Sequence, residues 1–333
     1  MAPSYNAKTT SEEIAQDLAS QIKGKVILTT GVSPASIGAT FVKSIAAANP
    51  SLLILAGRNT AKIQETADAI ASANPNVKVR LLELDLGSLA AVRKSAALVN
   101  AWADVPVIDV LVNNAGIMAT DFALTADGFE RQFATNHLAH FLFTNLVMDK
   151  ILASEAPRVV SVSSDAYMLS PIRFDDVDFK KGETYNKWQA YGQSKTGNVL
   201  LALQLARTLG PKRGLRAYSL HPGIIAGTTL ADHLDWAVES ETLRIVKESV
   251  GLPVDKLDPE KFVFKTPSQG AATHVFAAFA DEALREHNGA YLVDAHVPDP
   301  NDKTVFQPWA TSGEDAEKLW KLSEELVGQE FAY

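Results

Sequence analysis

The sequence predicts one doubly wound α/β domain, a seven-stranded and mostly parallel sheet with helices on both faces. Apolar runs of strand length alternate with longer segments of helical period, the order expected of successive βα units. No repeat of fixed period and no low-complexity tract interrupts that alternation. With 47% hydrophobic and 21% charged residues over 333 positions, the chain can bury the core such a sheet requires.

Thr10-Ser11-Glu12-Glu13 has the form of a capping box and opens a stripe of Ile14, Leu18 and Ile22. Residues 1–22 therefore read as an extension carrying an amphipathic helix. Strand-length apolar runs follow at 25–30, 52–56, 77–84, 107–112, 158–163, 215–220 and 290–293. Between them Ile37, Phe41, Ile45 and Ala48 recur at near-helical spacing, as do Leu89, Val92, Val99 and Trp102. The main domain spans 23–310. Within it, 224–265 is longer than an ordinary connection and holds Trp236, Leu243, Ile245, Val246, Phe262 and Phe264, which marks a lid or binding loop. Over 314–326, Leu319, Leu322 and Leu326 share one helical face, so 311–333 reads as a helix and tail docked outside the sheet.

Composition excludes several functions. Lys plus Arg is 31 against 39 for Asp plus Glu, and a net charge of −8 argues against a nucleic-acid partner. There is no cysteine, which excludes disulfides, thiolate catalysis, iron–sulfur ligation and cysteine zinc sites. No apolar run approaches the roughly 18 to 20 residues of a membrane span. The first ten residues lack the basic-then-apolar order of a secretory signal, so the expected location is cytoplasmic. Neither the hydrolase elbow G-x-S-x-G nor the phosphate loop G-x-x-x-x-G-K-[ST] occurs. His137 and His140, spaced i, i+3, fit packing between helices better than a metal, and no metal site is expected. Asp294, Asp299 and Asp302, separated by prolines, read as a solvated loop.

Chemistry-bearing motifs collect at strand ends. The first strand runs into T-T-G-V-S-P-A-S-I-G, from Thr29 to Gly38, where a helix starts. A tight glycine turn at a helix N-terminus offers backbone N–H groups and the helix dipole to a pyrophosphate. Gly31 serves the turn and Gly38 the close helix–sheet packing. Ser36 stands at the middle glycine position, and the loop is one residue longer than G-x-x-x-G-x-G. An ordinary βα turn would look much the same. The second strand ends Ala56-Gly57-Arg58. Gly57 stands where a carboxylate would accept from a ribose 2′-OH, and Arg58 can pair with a 2′-phosphate or simply lie solvated. L-E-L-D-L places Asp85 at the third strand end, and Asn113-Asn114-Ala115-Gly116 forms a small polar turn at the fourth. Of seven tyrosines only Tyr191 has a lysine four residues on, Lys195, so the two share a helix face. A cation there would lower a phenol pKa of about 10 toward the working range of a proton shuttle.

Taken in order, T-T-G-x-x-x-x-S-I-G, L-D-L, N-N-A-G, T-N-H, V-S-S, Y-G-Q-S-K and H-P-G resemble the short-chain dehydrogenase/reductases over roughly 24–294. The set is closest in form to the retinol-dehydrogenase-like and fungal carbonyl-reductase branch, which carries an insert between the serine and the tyrosine. The resemblance implies a Rossmann-type fold and a catalytic tetrad of Asn136, Ser164, Tyr191 and Lys195. In it Tyr191 is the general acid/base, Lys195 its pKa-lowering partner and ribose ligand, Ser164 the carbonyl-orienting serine, and Asn136 the holder of a relay water. The implied cofactor set is Gly31, Ser33, Ser36, Ile37, Gly38, Arg58, Asp85, Leu86, Asn113, Ala115, Gly116, Tyr191, Lys195, Pro222, Gly223, Ile225 and Thr228. Thr228 lies one residue further from Pro222-Gly223 than is usual.

The expected activity is hydride transfer between NADP(H) and a carbonyl or alcohol. The expected pocket, from 118–122, 167–174 and 224–264, is apolar and suits a lipophilic small molecule. The resemblance also implies a homodimer or homotetramer paired through the helices around Asn136 and Tyr191. A catalytically silent dinucleotide-binding sensor or scaffold would carry a broken tetrad, and here all four positions are filled.

Overall fold

Strands form at Val26–Thr30 (β1), Leu52–Gly57 (β2), Val79–Glu83 (β3), Val110–Asn113 (β4), Arg158–Val162 (β5), Arg216–His221 (β6) and, after two short strands, Tyr291–Val293 (β9). The short ones are Ile224–Ile225 (β7) and Phe264–Lys265 (β8), which the sequence did not announce. The computed structural model describes residues 5–254 and 263–333; Phe262 of the insert and residues 1–4 of the extension lie outside them.

The seven long strands make one sheet in the order β3-β2-β1-β4-β5-β6-β9. Every neighbouring pair is parallel, with Ile27 opposite both Leu53 and Val110. The chain winds outward from β1 to β3, then returns to start again at β4 on the other side. That reversal leaves a crevice at the carboxyl ends of β1 and β4, where open α/β sheets bind ligands.

Two apolar layers hold the sheet. On one face Val92, Val99, Phe141, Leu205, Leu209 and Leu319 pack from the helices Leu89–Ala101, Ala139–Leu146, Lys187–Arg213 and Gly313–Val327. On the other, Ile14, Phe41, Ile45, Ile63, Ile70 and Phe279 pack from Ser11–Asp17, Ile37–Ala46, Thr60–Ala73 and Pro267–Phe279. Each fully buried side chain of this kind contributes about 1.5–3 kcal/mol, so both layers are needed to offset chain entropy.

The N-terminal helix starts on the expected capping box: the Thr10 hydroxyl accepts from Glu13 N–H and the Glu13 carboxylate accepts from Thr10 N–H. The C-terminal helix buries Ala316, Leu319, Ser323 and Val327, a stripe rotated from the expected Leu319, Leu322, Leu326. The rotation follows from its partners. Trp320 meets Phe141 edge-on at 4.9 Å, and Ser323 Oγ lies 2.9 Å from His137 Nε2. The Tyr333 hydroxyl reaches Asn145 Oδ1 at 2.8 Å. The chain's own C-terminus thus covers part of the surface through which pairing was expected. Among the described residues no helix is long and apolar enough to cross a membrane, and no cluster of His, Asp and Glu could hold a metal ion.

Candidate active site

The β1 turn is built for close backbone approach. Gly31 has φ +73°, and a Cβ there would lie 2.6 Å from Ala115 Cα, so no other residue fits. Ser36, which breaks the expected glycine pattern, is the N-cap of Ile37–Ala46. Its hydroxyl accepts from Ala39 N–H at 3.0 Å and donates to Gly31 O at 3.0 Å. A second tie runs from Ser36 N–H to Ser33 O at 3.1 Å. The extra loop residue is absorbed at Ala35, which adopts a left-handed φ of 61°. A Cβ on Gly38 would sit 2.6 Å from Gly31 O. The N–H groups of Ile37 and Gly38 have no carbonyl to reach within the helix. This glycine-lined helix start fits the pyrophosphate of a dinucleotide.

At β4 the two asparagines separate. Asn113 is buried and donates its amide to Thr144 Oγ1 at 2.8 Å, so only its backbone lies along the crevice. Asn114 bridges the strand ends, donating to Thr30 O at 2.8 Å and Gly31 O at 3.0 Å while its Oδ1 faces His274 Nε2 at 3.2 Å. The Thr30 hydroxyl accepts from Asn114 N–H at 3.0 Å and Ala115 N–H at 2.9 Å. Gly116 has little room: a Cβ would lie 3.1 Å from Asn136 Oδ1 and 3.3 Å from Lys195 Nζ.

The four tetrad positions converge beside that turn. Asn136 sits in a π turn, Ala134–Leu138, between the helices Arg131–Phe133 and Ala139–Leu146. Such bulges re-aim a side chain within a helix. The Asn136 amide accepts from Ile117 N–H and donates to Ile117 O, both at 2.9 Å, and donates to Ser194 Oγ at 2.9 Å. Tyr191 and Lys195 lie on Lys187–Arg213, which starts on the Asn186 cap. The two serines after β5 divide the work. Ser163 Oγ donates to Lys195 O at 2.8 Å, whereas Ser164 caps the turn after β5, its Oγ accepting from Ala166 N–H and donating to Asp165 Oδ1, both at 3.1 Å.

Tyr191 is only 4% exposed, and burial, partly opposed by the neighbouring Ser164 hydroxyl, raises its pKa above the ordinary value. That is opposite to the lowering expected from Lys195. The phenol's own desolvation outweighs any help from the cation; Lys195 is likewise desolvated, with its pKa pushed down to about 8, and donates to Val162 O at 3.1 Å.

The outer strand ends are more open. Arg58 is exposed just beyond β2 and has no ion-pair partner among the described residues. Asp85 accepts from Gly87 N–H at 2.9 Å, closing its own turn, and the Leu86 side chain packs into the core. Pro222 and Gly223 follow β6; Gly223 has φ +95°, and a Cβ there would meet Lys265 Cδ at 2.7 Å. Ile225 in β7 pairs with Lys265 in β8, closing the base of the insert, and Thr228 precedes the short 3₁₀ turn Thr229–Ala231. Lys265 is buried and ion-paired with Asp294, so Asp294 is part of this base rather than a solvated loop residue.

The insert's helix, Trp236–Ser249, lies over Tyr191. Leu243 and Val246 pack with Ala119, Ala166, Leu169, Trp188 and Tyr191, with Met118 at the edge. Two expected pocket residues face elsewhere. Tyr167 packs on Tyr291 at 5.1 Å and donates to Val305 O, and Phe174 carries Lys318 over its ring at 4.3 Å. Residues given no role in the site from sequence also shape it: Thr30, Asn114, Ser163, Glu239 and His140, whose spacing fits packing between helices. Thr30 and Asn114 stood inside quoted motifs, and the signal for them was the motif itself.

The short chain dehydrogenase family model matches residues 25–174. The sequence is 36% identical over 333 residues to the short-chain dehydrogenase/reductase prx1 of Penicillium rubens, covering 97% of this chain and 91% of that one. It is 34% identical over 309 residues to retinol dehydrogenase 13 of Homo sapiens, covering 93% and 86%. A crystal structure of an uncharacterized protein from Mycobacterium paratuberculosis aligns with a TM-score of 0.69 at 30% identity, over 96% of this chain and 98% of that one.

Proposed function

The chain belongs to the short-chain dehydrogenase/reductase family, oxidoreductases that act on CH–OH and C=O groups with a nicotinamide dinucleotide, and we propose that it works with NADP(H) on a lipophilic ketone, aldehyde or alcohol. The observation that carries this reading is the convergence of three groups: Tyr191, buried beneath an apolar helix, Lys195 one turn further along the same helix, and Asn136, whose Oδ1 faces the Gly116 backbone together with the Lys195 ammonium.

In this reading Gly31, Ser33, Ser36, Ile37 and Gly38 hold the pyrophosphate, and Arg58 takes the 2′-phosphate that Gly57 leaves unopposed. Asp85 and Leu86 flank the adenine. Asn113, Ala115 and Gly116 line the crevice, Lys195 reaches a ribose, and Pro222, Gly223, Ile225 and Thr228 close over the nicotinamide. The bound cofactor supplies or receives the hydride. The chain's task is the oxygen. Ser164 and Tyr191 orient it by hydrogen bonds, and the Tyr191 hydroxyl gives it a proton during reduction. Burial suits this, because a phenol held above its usual pKa is protonated at neutral pH. Lys195 and Asn136 flank the path by which that proton is replaced.

Leu169, Leu243, Val246 and Met118 around Tyr191 favour an apolar substrate, and a relative named for retinol favours the same class. The test is a screen of lipophilic ketones and aldehydes by NADPH absorbance loss, with NADH in parallel. Turnover with NADPH preference supports the reading. Dinucleotide binding without turnover of any compound would favour the silent sensor or scaffold, and no binding would overturn both.

A further inference from the structure

We propose that His140 is a positioning residue for this reaction, a strut that ties the start of the 114–117 turn, through Thr30, to the backbone of Asn136, whose side chain holds the turn's other end. The proposal rests on the reading above, because that turn is where the dinucleotide would lie.

His140 is 1% exposed, between the sheet and the helix Ala139–Leu146. In the preceding π turn the Ala139 N–H reaches back to Ala134 O, and the His140 Nδ1 lies 3.0 Å from Asn136 O. A carbonyl can only accept, so Nδ1 carries the proton. Burial pushes the ring's pKa down to about 4, so it is neutral at physiological pH and Nε2 is an acceptor. Thr30 Oγ1 stands 3.0 Å from that nitrogen and donates to it.

The hydroxyl's one proton is therefore committed to His140, and its lone pairs accept the N–H groups of Asn114 and Ala115. At the far end of the same segment the Asn136 amide holds both the N–H and the C=O of Ile117. The bonds close a ring: from the start of the turn through Thr30, His140 and Asn136 to its end. Thr30, His140 and Asn136 are each at most 1% exposed, so water does not substitute for a lost member. Gly116 lies inside this ring, against Asn136 Oδ1 and Lys195 Nζ, so the cofactor-facing backbone and the catalytic lysine share the same support.

His137, three residues earlier, provides the contrast. It is equally buried, but its Nε2 meets Ser323 of the C-terminal helix at 2.9 Å, away from the turn.

The test compares His140→Phe, which keeps a ring but neither hydrogen bond, with Thr30→Val, Thr30→Ser and the control His137→Phe. Dinucleotide Kd is read by fluorescence titration, and kcat and KM on a substrate from the screen. His140→Phe and Thr30→Val are each expected to raise Kd and lower kcat by about tenfold, the scale of a small misplacement at a reacting centre. The double variant should be no worse than the worse single, because both cut the same strut. Thr30→Ser should restore most of the loss, and His137→Phe should lower Tm while kcat and Kd stay put. If His140→Phe does not fold, His140→Asn, which keeps a donor toward Asn136 but loses Thr30, takes its place with the same expectation. A folded His140 variant with wild-type Kd and kcat, or losses that add in the double variant, would overturn the proposal alone. A wild type that binds no dinucleotide would overturn the underlying reading and the proposal with it.

Discussion

The Lys195 ammonium lies 5.6 Å from the centre of the Tyr191 ring and donates to the Val162 carbonyl at 3.1 Å. Both groups are buried, and burial moves each toward its neutral form: the phenol up, the ammonium down to about 8. A lysine with a lowered pKa loses its charge as pH rises through that value. On the proposed roles, carbonyl reduction needs a protonated Tyr191 and a charged Lys195, so it is expected to be level near neutral pH and to fall above about pH 8. Alcohol oxidation, which needs the phenolate, should instead rise toward alkaline pH. Rate profiles in both directions check this; a reduction rate that climbs through pH 8 contradicts it.

Tyr191→Phe keeps the ring within its apolar cluster and removes the hydroxyl that we propose gives the proton. Fold stability and cofactor affinity should change little, while kcat falls by about 10² to 10⁴, the range for one general acid. Near-normal turnover on a confirmed substrate would show the tyrosine to be misassigned.

Lys195→Met separates stability from function. With its pKa at about 8 rather than the ordinary 10.5, the buried ammonium opposes folding below pH 8, and the penalty fades as pH rises toward the unfolded value. Removing it should stabilise the protein at pH 7 by up to about 3 kcal/mol, less about 1 kcal/mol for the lost hydrogen bond to Val162. Denaturant melts of the two proteins at pH 7 and pH 10 would show the gain shrinking at the higher pH. Activity and dinucleotide affinity should both fall in the same variant. A destabilised variant would mean that the cation supports the fold.

Arg58→Ala removes an exposed guanidinium at the end of β2, beside a glycine where a carboxylate would favour NAD(H). We expect NADPH affinity to drop by about tenfold or more, as for a charge-assisted phosphate contact, with NADH affinity nearly unchanged. Equal wild-type affinity for both cofactors would defeat the assignment.

The sheet was legible because seven apolar runs of strand length leave few other ways to bury them, and each run fell on a strand to within a few residues. The short strands β7 and β8 were not, since two residues carry no periodicity; the Ile224–Phe264 and Ile225–Lys265 pairings across the insert define them. Ser36 looked like a damaged glycine motif, although a serine at a helix start is also a cap, and that is the role it takes. Choosing Asn113 over Asn114 depended on which side of β4 each residue faces, and the end of a strand does not announce that. The direction of the Tyr191 shift needed burial, which sequence spacing does not contain. Glu239 had a signal that spacing could have supplied: it lies four and seven residues before Leu243 and Val246, on the face that packs inward.

That glutamate bears on how the insert moves. Glu239 is 3% exposed, ion-paired with Lys187 and accepting from the Trp188 indole N–H at 2.8 Å. Lys187 and Trp188 open the helix that carries Tyr191, so the carboxylate latches the insert's helix to the catalytic one. Leu243 and Val246 share one apolar cluster with Tyr191 on the side of this latch, so a substrate reaching the phenol has to enter that cluster. Glu239→Gln keeps the volume and an acceptor for the indole but removes the charge. Lys187 is a quarter exposed and can turn to water, so the loss should be about 1–2 kcal/mol rather than the full cost of an orphaned buried charge. Hydrogen exchange over Trp236–Ser249 should then quicken by about tenfold with little change in the sheet. NADPH with a substrate should slow exchange there in the wild type, as closure over the site requires. Unchanged exchange in the variant, or a uniform rise across the sheet, would show that Glu239 supports the whole fold instead of latching the insert.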